Sequence, residues 1–515
     1  MSLRARLARV PPGYHFSIGR VLAIYSGLMV TLLLAALDQT IVSTALPRIV
    51  SELGGLSQYS WVFTAYMLAT TVTVPLYGKL GDVYGRRPLF LVAISIFLVG
   101  SALCGLAQNM PELVFFRAVQ GLGAGGLFPL AIATVGAIVP VRDRGRYQGL
   151  IGAVFAAASI IGPLVGGFIV DNTTWRWVFY VNLPIGGVAM LVILATMPKR
   201  AARHEHSIDW LGAGVLAAAT TALLLGLVWG GRQYSWLSPE VLGSLAAAVL
   251  LALAFWAIER RVPETILPFD LIRRKTIAAS LISIGLVGMA MFGTISYVPL
   301  FVQGVIGTSA TSSGIVLTPL MLGAVTASLI SGQWISRSGR LRPNALVGPI
   351  VLTAGMLLLW RMDVHTSNGE AARNMVVAGI GLGLMMQVFV LSVQNAVARA
   401  VIGSATALTQ FARCIGGTLG VTIMGVIVNQ GLPRGVRDGT ESLGAHRLPE
   451  PLRIALASAL HPAFLAAACV SALVFFIVWF GIEDVPLRRS LEDHPVSEEL
   501  AAAAPDTGSA RAAAR

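Results

Sequence analysis

Charge is what this sequence has least of. Only 12% of its 515 residues are charged, while 56% are hydrophobic. A soluble chain of this length could not hide so much apolar surface, so a soluble globular protein is excluded. Lysine is nearly absent, with Lys79, Lys199 and Lys275 the three among 37 basic residues. The arginine and alanine bias suits a GC-rich bacterial genome. Cysteine is scarce too. Cys104, Cys414 and Cys469 each lie in an apolar run, without the spacing of a metal site or a disulfide framework. No G-x-x-x-x-G-K-[ST] loop is present, which argues against direct use of ATP. No nucleophile elbow and no cluster of histidine, cysteine and acid appears, so neither an enzyme, a cofactor nor a metal centre is expected. His204 and His206 could bind a metal, but a solvated loop is the simpler reading.

What is there is a series of apolar runs of about 20 residues, the length of a bilayer-crossing helix. Spans are expected near 19–46, 57–80, 87–107, 111–139, 146–170, 174–197, 210–230, 238–258, 276–303, 310–335, 343–361, 372–398, 403–429 and 457–482, making fourteen helices. The net charge of +13 could suggest nucleic acid, but the basic residues fall in every second loop. Loops after even-numbered helices hold Arg86 and Arg87, Arg142 and Arg144, Lys199 and Arg200, Arg273 and Arg274, and Arg337 and Arg340. Positive loops stay in the cytoplasm, which puts both termini there. The 430–456 loop is an arginine-bearing exception, and long loops obey the rule less well. No cleavage site follows the first apolar run, so residues 1–18 read as a cytoplasmic tail. The segment after Pro486 reads as a flexible tail.

One loop repeats weakly. "YGKLGDVYGRRP" (77–88) follows the second helix, and "SGQWISRSGRLRP" (331–343) follows the tenth. Gly78 aligns with Gly332, Asp82 with Ser336, Gly85 with Gly339 and Arg86 with Arg340. Such duplication is a habit of secondary transporters. The expected layout is an all-α membrane protein with six-helix bundles at 19–200 and 266–485 and a two-helix insert at 201–265.

Four stretches carry a resemblance. They are "LDQTIVSTALPRI" (37–49), "GKLGDVYGRRP" (78–88), "LVFFRAVQGLGAGG" (113–126) and "GPLVGG" (162–167); "TALTQFARCIGGTLG" adds a looser match in the second half. In order and on these helices, they resemble the major facilitator superfamily, and with fourteen helices the drug:proton antiporter family within it. The resemblance implies a gating role for Gly78, Gly81, Asp82, Gly85, Arg86, Arg87, Asp143 and Arg144. Physically, the glycines allow tight turns and Asp82 can cap a helix start or pair with Arg86. The resemblance ties Gly162, Pro163, Gly166 and Gly167 to export, although small-residue packing alone would also explain them. Ala158 stands where a further glycine is usual.

Asp38 is the one acid deep in a span; Glu112, Asp209, Glu259, Asp363 and Glu370 sit at helix ends. A carboxylate at the bilayer centre costs roughly 2.5–3.5 kcal/mol on insertion scales. Counting helical rise, Asp38 lies about 13 Å from the outer surface, Arg117 about 9 Å, and Arg413 about 15 Å from the inner one. Either arginine could pair with Asp38, and exchange between them would change its proton affinity. Together with the resemblance, this makes the expected function proton-coupled efflux of hydrophobic drugs or toxic amphiphiles across the bacterial cytoplasmic membrane, by a chain acting as a monomer with protons, lipid and a small substrate as its partners. A dedicated exporter of one compound, an uptake symporter and a sensor without flux are the rivals. The resemblance implies a cavity lined by the first, fourth, ninth and twelfth helices, with Gln39, Phe128, Phe292, Tyr297, Met385, Met386 and Gln387 as candidates. With no second acid in the spans, lipophilic monocations or neutral amphiphiles are the expected cargo.

Overall fold

The computed structural model describes residues 16–54, 58, 61–198, 209–230, 233–262, 265–266, 269–306, 318–432, 450–484 and 486–487. The N-terminal tail before residue 16, His204, His206, most of the 430–456 loop and the tail beyond 487 lie outside them. The described residues are mostly helical. We number the spans α1 (Ile18–Leu53), α2 (Trp61–Val83), α3 (Arg86–Leu106), α4 (Met110–Ile138), α5 (Val141–Asn172), α6 (Trp177–Thr196), α7 (Trp210–Trp229) and α8 (Pro239–Glu259). There follow α9 (Lys275–Phe301, continued by a π-helical turn at Val302–Ile306), α10 (Thr318–Ser338), α11 (Arg342–Trp360), α12 (Asn368–Ala396), α13 (Ile402–Gly431) and α14 (Glu450–Gly481). Among the described residues, fourteen such spans stand where fourteen were expected.

Twelve of the described helices are long and apolar enough to cross a membrane. The other two spans, α2 and α10, are the helices on which the repeated loop sits. Each packs across the molecule, α2 on α13 and α10 on α5. A helix surrounded by protein needs less apolar surface than one facing lipid.

Helices α1–α6 form one bundle and α9–α14 a second, with matching internal neighbours. α2 packs on α4 as α10 does on α12, α3 on α4 as α11 on α12, and α1 on α5 as α9 on α13. A repeat missed in the sequence underlies this. "GLGAG" (121–125) in α4 and "GIGLG" (379–383) in α12 place glycines two residues apart. A Cβ at Gly121 or Gly125 would strike α2, and one at Gly123 would strike α3. Gly379 and Gly383 stand likewise against α10, and Gly381 against α11. Missing side chains let each fourth helix nest against two neighbours at once. The α7–α8 hairpin lies outside both bundles, with α7 packed on α2 and α13.

Several ends differ from expectation. α1 runs past Pro47 to Leu53, since proline removes one helical hydrogen bond and does not by itself stop a supported helix. Its last turn is held by Glu52, which accepts from Trp175 Nε1 at 2.9 Å. α14 begins at Glu450, earlier than expected, because Arg453 anchors that turn on the carbonyls of Val305 and Val364. α6 is interrupted at Val181, where Pro184 deprives the preceding turn of a donor.

Candidate functional site

α1, α3, α4 and α6 converge on Asp38. Its carboxylate and the Arg117 guanidinium are both fully buried, with Oδ2 2.8 Å from Nη1. Oδ1 accepts from Gln120 Nε2 at 2.7 Å and from Asn182 Nδ2 at 2.8 Å. Ser101 Oγ accepts from Asn182 at 2.9 Å and donates to the Phe179 carbonyl at 2.9 Å. Arg117 also donates to Gln120 Oε1 at 2.6 Å and to the Val62 carbonyl at 3.3 Å, and lies over the Tyr66 ring at 4.1 Å. The carboxylate is thus sealed among three donors, one of them a guanidinium, which together satisfy both of its oxygens. The helix interruption before Asn182 brings its amide to this site.

This answers which arginine pairs with Asp38: it is Arg117. Arg413 is not brought there. It lies on α13 against Gly288 of α9 and makes no hydrogen bond or ion pair among the described residues. The duplication also stops at this site. Aligning the two G-x-G-x-G runs puts Met375 where Arg117 stands and Ala378 where Gln120 stands. The second bundle therefore buries a thioether and a methyl where the first buries an ionic network.

Gln120, Ser101 and Asn182 were not singled out in the sequence. Gln120 was the most legible, one helical turn from Arg117. Ser101 and Asn182 are single polar residues in apolar runs, and only the packing of α3 and α6 gives them meaning.

The second constellation closes one end of the molecule, the end bearing Arg86, Arg142 and Arg340. Asp82 accepts from the backbone N–H groups of Gly403 at 2.9 Å and Ser404 at 2.7 Å, and from Ser404 Oγ at 3.1 Å. It thus caps the first turn of α13, a helix of the other bundle, while Arg86 approaches it at 3.3 Å. At the pseudo-equivalent place the Ser336 hydroxyl donates to Asp143 at 3.1 Å in the first turn of α5. Asp82 is thus answered by Ser404, and Ser336 by Asp143, so the acid changes bundles between the two copies. Arg142 caps the end of α10 through the carbonyls of Ser336 (3.0 Å) and Arg337 (2.8 Å). Arg144 ties the carbonyls of Gly136 in α4 and of Val139 just past its end to Gln394 of α12.

Gly78 and Gly332 permit this closure. A Cβ on Gly78 would overlap Ala407 of α13, and one on Gly332 would overlap the Gly145 backbone of α5. Gly85 and Gly339 take φ values of 86° and 70°, the left-handed region open to glycine. Gly81 gives room to Leu130. Arg87 reaches back to the Leu194 carbonyl at 2.8 Å, within its own bundle.

In α5, Gly162 and Gly166 face Thr40 and Thr44 of α1, so the "GPLVGG" stretch lets these helices touch. Gly167 has nothing within 4 Å of its would-be Cβ. Pro163 lies within α5.

A cavity of about 450 Å³ lies toward the other end. Its walls come from α2 (Phe63, Met67, Thr71), α7 (Leu227), α9 (Phe292, Tyr297) and α13 (Cys414, Gly417). Of the residues expected to line a substrate cavity, Phe292 and Tyr297 are among these walls. Gln39, Phe128, Met385, Met386 and Gln387 are not. Gln39 turns to Tyr66, and Phe128 stacks on Phe155 at 5.0 Å. Met385 is buried beside Gly348, Met386 is half-buried at the interruption of α12, and Gln387 donates to the Ser328 carbonyl at 2.7 Å. Of the first, fourth, ninth and twelfth helices expected around a substrate cavity, this one is walled by the ninth, together with α2, α7 and α13. The reason is the insert: α7 docks beside the α2–α13 seam and walls off space there.

One helix joins the three features. Val62 and Tyr66 of α2 touch Arg117, Phe63 and Met67 line the cavity, and Gly78 and Asp82 form the closure.

The comparisons agree with this architecture. The sequence profile of the Major Facilitator Superfamily matches residues 28–421. The chain is 39% identical over 404 residues to the multidrug transporter protein MdtP of Bacillus subtilis, covering 78% of this chain and 74% of that one. It is 37% identical over 401 residues to multidrug resistance protein 3 of the same organism, covering 78% of each. Among solved structures, the proton:xylose symporter XylE superposes with a TM-score of 0.64 over 92% of this chain and 98% of that one, at 14% identity, which speaks to fold alone. The chain is a multi-pass membrane transporter, not an enzyme, and it belongs to the major facilitator superfamily.

Proposed function

We propose that this chain exports hydrophobic amphiphilic compounds in exchange for protons across the bacterial cytoplasmic membrane, as a monomer with both termini in the cytoplasm. The proton gradient drives it, without a cofactor. The names of the Bacillus relatives support efflux, and the positive loops support the orientation. The observation that carries the coupling is the sealed Asp38–Arg117 pair, one helix away from the cavity.

In this reading the arginine-rich end is cytoplasmic and closed here, so the cavity belongs to the outward side of the cycle. A proton arriving at Asp38 removes the charge that holds Arg117. Arg117 then rests on the Val62 carbonyl and the Tyr66 ring, both on α2. α2 carries Asp82 at its far end, so a shift there loosens the cap on α13 and opens the cytoplasmic side. Release of the proton restores the pair and the closure. Gly162 and Gly166 hold α5 tightly on α1 and keep Asp38 sealed during the motion.

A dedicated exporter of one compound is the second reading, and the cavity favours it, being at the small end of the range of roughly 300–1,000 Å³ for ligand pockets. Everted membrane vesicles carrying the chain test both. Energised vesicles should accumulate a cargo from a panel of anionic, neutral and cationic dyes, and a protonophore should collapse the signal. A signal insensitive to the protonophore would sink proton coupling. Accumulation of a single panel member would favour the dedicated exporter.

A further inference from the structure

Among the described residues, Arg413 is a cation without an ion-pair or hydrogen-bond partner in the middle of a membrane protein. It sits on the buried ridge of α13, between Gln410 and Gly417, deep in the bundle but only half-buried itself. Its buried Nε donates to no partner, and the guanidinium makes no ion pair or ring contact among the described residues. Such a group is costly inside a bilayer and is normally paired. Asp38 is not its counter-ion here, since that carboxylate is filled by Arg117, Gln120 and Asn182.

The cavity lies one helical turn away. Cys414 follows Arg413 directly and lines the cavity, as does Gly417, four residues on. Across the seam, Arg413 packs on Gly288, and Phe292, four residues further along α9, also lines the cavity. A turn rises about 5.4 Å, within the reach of an arginine side chain. Among the described residues no acid lines the cavity; its walls are aromatic, aliphatic and weakly polar. Arg413 is not itself one of these lining residues, but it lies within a turn of them, and they offer no carboxylate to neutralise a cationic ligand.

We infer that the cavity takes an amphiphile with an anionic head, a carboxylate in the simplest case, whose charge is received by Arg413 while its apolar body lies against Phe63, Met67, Phe292 and Tyr297. This reverses the cargo charge that the scarcity of acids first suggested. It rests on the efflux reading only in calling the ligand a substrate.

The test is equilibrium binding to the full chain in phosphatidylcholine nanodiscs, read by energy transfer from tryptophan to pyrene, with empty discs as the blank. Pyrenebutyrate should bind at least tenfold more tightly than its methyl ester. Arg413→Gln should bring the acid down to the ester, and Arg413→Lys should keep part of the preference. Should the glutamine variant not fold, the wild-type chain still decides: dodecanoate must displace the probe and dodecyltrimethylammonium must not. Equal binding of acid and ester, or displacement by the cation as well as by dodecanoate, would overturn the inference. So would competition by phosphatidylglycerol in the discs equal to that of dodecanoate, which would give Arg413 to a lipid phosphate. Binding needs no gradient, so intact binding with no proton-driven flux would fail the transport reading alone.

Discussion

Replacing Asp82 by asparagine should open the arginine-rich end. The carboxylate accepts three hydrogen bonds from the start of α13, at 2.9 Å, 2.7 Å and 3.1 Å, and no other residue caps those backbone N–H groups among the described residues. Asparagine keeps one acceptor oxygen and presents an NH₂ where the other oxygen stood. At least one charge-assisted bond is lost, worth roughly 1.5–3 kcal/mol. The charge at the helix N-terminus is lost as well, roughly 0.3–1 kcal/mol. Together about 2–4 kcal/mol leaves the closed state, so the ratio of closed to open molecules should fall roughly 30- to 700-fold. Spin labels at Tyr84 and Ala400, both exposed and in opposite bundles, report the gap by double electron–electron resonance. Cys104, Cys414 and Cys469 are replaced for the purpose. The variant should show a longer distance as the main population. An unchanged distribution in well-folded protein would refute the idea that this cap holds the two bundles together.

Three further outcomes follow from the packing. Gly332→Leu should block closure by striking the Gly145 backbone, exposing cysteines placed at the arginine-rich end to water-soluble maleimide and cutting transport at least tenfold; wild-type labelling would count against the contact. Gly162→Val should cost roughly 1–3 kcal/mol by overpacking against Thr40, while Gly167→Ala should leave the melting temperature unchanged, because nothing lies within 4 Å of its added methyl. Equal effects at the two glycines would refute the packing assignment. Asn182→Leu removes one donor shared by Asp38 and Ser101 and should slow proton-driven transport about tenfold, yet add nothing once Asp38 is asparagine. Additive losses would place Asn182 outside the coupling network.

The sequence made the architecture legible because bilayer physics leaves few choices. Length of apolar run gave the helices, and alternation of arginine-bearing loops gave their order. The repeated loop was legible too, since a left-handed glycine and an arginine at fixed spacing are rare by chance. Asp38 stood out because a lone carboxylate in an apolar run needs a reason. Its supporting residues did not, because Ser101 and Asn182 come from helices whose rotation no periodicity reveals in a span apolar on all sides. Depth counting admitted both Arg117 and Arg413 as partners, and depth says nothing about lateral position. The place of α7 beside a cavity was hidden for a related reason. The insert was read as an addition to the fold, whereas α7 is one of the cavity walls.

The central claim is that Asp38 carries the coupled proton. Its most direct test is to separate coupling from movement in proteoliposomes, using a cargo identified in vesicles. Asp38→Asn keeps the shape of the side chain and removes the titrating group. The account predicts that this variant still exchanges labelled for unlabelled cargo across the membrane, while a pH gradient no longer drives accumulation and cargo no longer moves protons. Accumulation driven by the pH gradient at the wild-type level in the Asp38→Asn protein would contradict it.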